Sequence, residues 1–91
     1  MQPHTKIYLK EMCFHATDFI PCEVCGIRAT EIHHIKARGM GGRKNADVID
    51  NLMAICRSCH ITYGDKKQFM DFLNKKHQDA ITEARTRRGS I

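Results

Sequence analysis

Four cysteines and a few histidines carry most of the chemistry open to this chain. Cys22 and Cys25 form one Cys-x-x-Cys pair and Cys56 and Cys59 a second, with thirty residues between the two pairs. Thiolates at that spacing surround zinc tetrahedrally and close a long loop, so folding and metal binding are expected to be coupled. Iron also accepts four thiolates. Two ordinary buried thiol pairs, or redox-active Cys-x-x-Cys units, are the competing readings, and the duplication at this separation weighs against both. A four-thiolate zinc site has no open coordination position, so catalysis needs another centre. Its candidates are His33 and His34 in "EIHHI", then Asn51, then His60, which follows Cys59 directly, with Glu31 nearby. Closing the thiolate site carries His60 back toward the histidine pair. A neutral imidazole accepts a proton near physiological pH and ligates divalent ions. Plainer roles compete at each position. Either histidine of the pair can be structural or touch DNA, His60 can cap a helix, and asparagine is an ordinary turn or cap residue. Glu31 is either a partner of His33 or Arg38 or a solvated strand-edge residue.

The elements that must position these groups follow from patterning. Residues 1–19 contain "KIYLKEMCF", whose apolar alternation also tolerates a helix and supplies support packing. Cys13 reads as a small packing residue rather than a fifth ligand. In "IPCEVCGI", Pro21 limits the approach and Gly26 permits a turn after the second thiol, as in a zinc knuckle. "ATEIHHIKA" carries Thr30, Ile32 and Ile35 and predicts a strand. "RGMGGRKNADVID" predicts a loop, and "NLMAIC" a return strand that brings Cys56 beside the first knuckle. A helix is expected from Arg57 to His60 onward, toward Tyr63 or Lys66. A second is expected over 66–79, with Phe69, Phe72, Leu73 and Lys76 on neighbouring turns and the Lys76 stem lying over that face. "ITEARTRRGSI" extends it for a turn or two before Gly89. No internal repeat or second domain is visible.

The combination "CEVCG", "EIHHI", "RGMGGRKN" and "NLMAICRSCH" resembles the HNH endonuclease family over roughly residues 21–66. The resemblance implies a small α+β fold, a ββα-metal finger stabilised by a four-cysteine zinc site with an additional C-terminal helix. It divides the chain into a single nuclease domain over 1–91, with a catalytic and zinc-binding core at 21–66 and an accessory basic helix and tail at 67–91. It also implies phosphodiester hydrolysis with one catalytic divalent ion. Carried over residue by residue, His34 matches the general base that activates water, and His33 and His60 match the metal ligands. Asn51 matches the residue that holds the connecting loop through backbone hydrogen bonds and helps orient the base. Both His33 and His34 must reach one phosphate, yet adjacent strand residues face opposite sides. The assignment therefore expects a twist or irregularity at the strand's end and depends on the rings converging.

The formal net charge is +5, and residues 66–91 hold seven basic against three acidic side chains. A polyanion partner and a solubilising tail both account for that excess. Arg38, Arg43, Lys44 and Arg57 are the candidate phosphate contacts near the centre. Lys66, Lys67, Lys75, Lys76, Arg85, Arg87 and Arg88 extend the basic surface, giving salt-dependent binding without sequence readout. The expected substrate is DNA, chiefly double-stranded, with RNA open as well, cut as a nick or, through a homodimer or two successive nicks, on both strands. Magnesium or manganese leads as the catalytic ion, with nickel, cobalt and zinc also accepted by paired imidazoles. The short chain with zinc knuckles is similar to phage and mobile-element types, which implies the cytoplasm of a bacterial or phage-infected cell and a possible packaging partner. No stretch reads as a signal peptide or a membrane span. The competing function is a noncatalytic, zinc-stabilised nucleic-acid-binding module. It explains the cysteines and the charge, but gives the His33, His34, Asn51 and His60 set no common purpose.

Overall fold

The computed structural model describes residues 3–36 and 48–89, with side chains described through residue 86. Helix α1 (Pro3–Glu11) starts with proline at its first position, where no intrahelical N–H is needed. It ends in a Schellman turn. Cys13 takes a left-handed φ of 64°, while Phe14 N–H donates to Leu9 O at 2.9 Å and Cys13 N–H to Lys10 O at 3.3 Å. Cys13 is therefore a helix-terminating residue with an exposed side chain, not the packing residue expected.

The first knuckle is a miniature hairpin in which Pro21 bridges Arg28. Cys22 N–H donates to Ile27 O at 2.6 Å and Gly26 N–H to Cys22 O at 2.9 Å. Gly26 sits at φ 87°, a conformation glycine adopts without steric cost. Strands β1 (Glu31–His34) and β2 (Leu52–Ile55) then form an antiparallel pair, with Glu31 opposite Ile55 and His34 opposite Leu52. Helix α2 (Arg57–Tyr63) follows directly, so the three elements form a ββα unit.

All four residues of β2 are buried, which explains why "LMAI" is apolar throughout rather than alternating. Leu52 and Ala54 join Tyr8 of α1, Met12 just after it, and Ile81 and Ala84 of the last helix in one core. Met53 instead packs with Ile35 and Leu73, and Ile55 with the cysteine cluster. The sheet is thus covered on both faces.

Helix α3 (Met70–Gly89), preceded by a 3₁₀ turn at Lys67–Phe69, is longer than the span of 66–79. Its buried stripe is Leu73, His77, Ile81 and Ala84, spaced at helical intervals. Phe72 is 38 % exposed and meets the Tyr63 ring at a tilt, so the apolar side chains expected to mark the inner face do so in part. A histidine takes the next inner position. The stripe packs back onto the sheet instead of remaining open for a second copy.

His77 is accommodated by a buried polar hub. Its Nε2–H donates to Ile49 O at 2.5 Å and its Nδ1 lies 2.7 Å from Glu23 Oε1. Glu23 also accepts from Tyr8 Oη–H and from Ala54 N–H at 3.3 Å, while its own N–H donates to Ala54 O at 3.0 Å. Glu23 thereby satisfies Ala54 from the unpaired edge of β2, where a third strand would otherwise be needed. The glutamate between two zinc-knuckle cysteines links α1, β2 and α3 at one point.

Candidate metal centres and nuclease site

The cysteines converge as the spacing requires. One sulfur from each of Cys22, Cys25, Cys56 and Cys59 lies within 4.8 Å of the others, and Cys25 Sγ and Cys56 Sγ are 3.7 Å apart. A tetrahedron with Zn–S bonds of about 2.3 Å has edges of about 3.8 Å, so the four sulfurs fit the ion. Cys56 also caps α2, its sulfur accepting Cys59 N–H at 3.4 Å. Burial works against the Cys22 thiolate, but backbone N–H groups of the knuckle prevail and draw its pKa down to about 7. Burial pushes Cys59 up. Four thiolates at this distance repel one another, and a divalent cation is what allows all four to ionise together.

The second cluster lies on the α2 side of the sheet. His33 and His60 face each other with ring centroids 4.7 Å apart, and donor atoms of His33, His60 and Asp65 all fall within 4.8 Å. His33 is 4 % exposed, and its Nε2 is buried with no hydrogen-bond partner among the described residues. Burial, followed by the neighbouring His60, holds its pKa below the ordinary histidine value, which keeps the imidazole neutral and able to ligate. His60 Nδ1 is 2.6 Å from Glu31 Oε1. That contact selects the tautomer with the proton on Nδ1 and leaves the Nε2 lone pair for an ion, the arrangement by which carboxylates orient ligating histidines. Gly64 ends α2 beside this ring, where a Cβ would collide with His60 Cδ2 and the His60 carbonyl.

His34 does not join this cluster. Residues 31–34 pair in regular register, so Glu31 and His33 face α2 while Ile32 and His34 face α1. The His34 ring lies 4.9 Å from that of His4. The expected irregularity is absent within β1, and convergence of the two rings is corrected: regular alternation of a fully paired strand separates them. Asn51 lies at the strand's exit. Its Oδ1 accepts Lys36 N–H at 2.7 Å, its Nδ2–H donates to Lys36 O at 3.0 Å, and its own carbonyl accepts Ile35 N–H at 3.0 Å. Those three bonds tie the end of β1 to the residue just before β2.

Among the candidate phosphate contacts, Arg38, Arg43 and Lys44 lie outside the described residues, together with most of the glycine-containing loop and the side chains of Arg87 and Arg88. Arg57 is exposed and pairs with Glu31 at 3.3 Å. Lys66 donates to the Ile61 carbonyl, and to Thr62 O at 3.0 Å, at the end of α2. Lys75 pairs with Asp79 at 2.9 Å, and Lys76 lies over Phe72 at 5.8 Å. Asp65, Gly64, His4 and the Glu23–His77 pair are the residues that sequence reasoning passed over. For Asp65 a signal existed in "CHITYGD", a carboxylate just past the helix that starts at the second knuckle.

A ββα unit with four cysteines placed to hold zinc, and a second cluster of two imidazoles and a carboxylate, is a small domain with two candidate metal sites. Residues 22–66 match the family described as HNH endonuclease. No curated protein and no solved structure matches the chain. Among the described residues, no helix is long and apolar enough to cross a membrane.

Proposed function

We propose that this chain is a metal-dependent DNA endonuclease or nickase. The observation that carries the reading is the His33–His60 pair, with a buried Nε2 that has no partner among the described residues on one side and a ring oriented by Glu31 on the other. His33 and His60 would hold the ion. A divalent cation bound there supplies charge neutralisation for the phosphate and the departing sugar oxygen. His34 accepts the proton of the attacking water, and Asn51 fixes the strand end on which His34 stands. Because the two rings face opposite ways, the geometry gives the role of His34 no support, and that role rests on the family pattern alone. On this reading Arg57 would bind the cleaved phosphate, and Arg38, Arg43 and Lys44 would meet the phosphates on either side of the cut. The separation of the rings also favours a second reading, a noncatalytic zinc-stabilised nucleic-acid-binding module.

Supercoiled plasmid incubated with the purified chain and magnesium or manganese separates the two. The nuclease reading expects nicked circles that chelation abolishes, and a loss of about 10²–10⁴ in rate for His34→Ala, the usual contribution of a general base. Undiminished nicking by His34→Ala rejects that residue as the base. Plasmid retention without nicking under any divalent ion supports the binding module, and a parallel RNA substrate decides the nucleic acid.

A further inference from the structure

Resting on the metal-centre reading above, we propose that Asp65 is a third protein ligand, making the second centre a two-histidine, one-carboxylate site. Three observations carry this beyond the two histidines. The Asp65 carboxylate lies within 4.8 Å of both imidazole donors. The His33 Nε2 in the same cluster is buried and has no hydrogen-bond partner among the described residues, which leaves a ring nitrogen able to ligate beside the carboxylate. Asp65 also occupies a left-handed backbone conformation, φ 56°, which costs a non-glycine residue energy. Glycine would relieve that strain, yet the glycine stands one position earlier, at 64, where the space is needed by the His60 ring.

The turn Gly64–Asp65 thus does two things in succession: it admits the imidazole and returns a carboxylate toward it. Two neutral nitrogens and one anionic oxygen suit manganese and its heavier neighbours better than an all-oxygen magnesium site, and they leave positions for water and phosphate oxygen. The three donors come from three places in the chain, the first strand, the helix and the turn after it. Docking α2 on the sheet therefore assembles the site.

The test is Mn²⁺ binding to the full, zinc-loaded chain, followed by the fall of the free-ion electron paramagnetic resonance signal. Asp65→Asn keeps the shape and tolerates a left-handed backbone, whereas Asp65→Gly removes the strain. Both are expected to raise the Mn²⁺ dissociation constant at least about tenfold, with Asp65→Gly melting no lower than the wild type. A purely structural carboxylate would leave affinity unchanged. Wild-type binding that His33→Ala abolishes, but that both Asp65 variants match within twofold, overturns the Asp65 assignment and leaves the two-histidine centre standing. Absence of wild-type Mn²⁺ binding, or binding indifferent to His33→Ala, overturns both.

Discussion

At the scale of single residues, the second centre depends on what stands beside the imidazoles as much as on the imidazoles themselves. Glu31 sets the tautomer of His60, and Gly64 leaves room for its ring. A methyl group at position 64 has no solvent-facing direction to take, since it would meet both the ring and the carbonyl of His60. Gly64→Ala is therefore expected to cost about 1–3 kcal/mol through overpacking and to weaken ion binding at the second centre. Denaturant unfolding and a metal titration of the same variant check the two effects. A glycine at ψ 145° lies outside the helix it follows, so helix propensity offers no compensating gain.

At the scale of elements, α3 is held by an ion pair in the middle of its buried stripe. His77 is fully buried, and Glu23 keeps only 3 % of its side-chain exposure. Burial alone would lower the histidine's pKa, but the Glu23 carboxylate, with support from the Ile49 carbonyl and Asp50, raises it above the ordinary 6.5. A folded-state value above the unfolded one stabilises the native protein fully below pH 6.5, and that contribution is lost as pH rises through the folded value. His77→Gln should therefore destabilise the chain most at and below pH 6.5, with the difference from wild type shrinking at alkaline pH. Urea midpoints of both proteins across a pH series measure it, and a difference that grows with pH would contradict the assignment. Taking the difference between the two proteins cancels the pH dependence of the thiolates that they share.

At the scale of the whole molecule, the described chain buries small cores on either side of a two-stranded sheet, and the cysteine cluster closes one end. Structural zinc sites in small domains are worth about 10–16 kcal/mol, as much as the entire stability of a typical domain. Chelation is accordingly expected to abolish the cooperative thermal transition and most of the helical circular dichroism, with zinc restoring both and magnesium restoring neither. Much of this architecture was legible before any coordinates. Paired Cys-x-x-Cys spacing, the β-branched run before the histidine pair and the uniform apolarity of "LMAI" each have a local cause, so the knuckles, both strands and α2 follow from nearest-neighbour chemistry. What reads poorly depends on contacts between residues far apart. Residues 23 and 77 look like ordinary surface polar positions until the fold buries them against each other. Asp65 looks like a turn residue until α2 docks beside β1. The sequence by itself determined the four-thiolate frame and the order of histidine, asparagine and histidine, because ligand type and spacing are properties of the chain. Only the tertiary structure decided which faces those histidines occupy, since strand alternation separates His33 from His34 and helix docking brings His33 to His60.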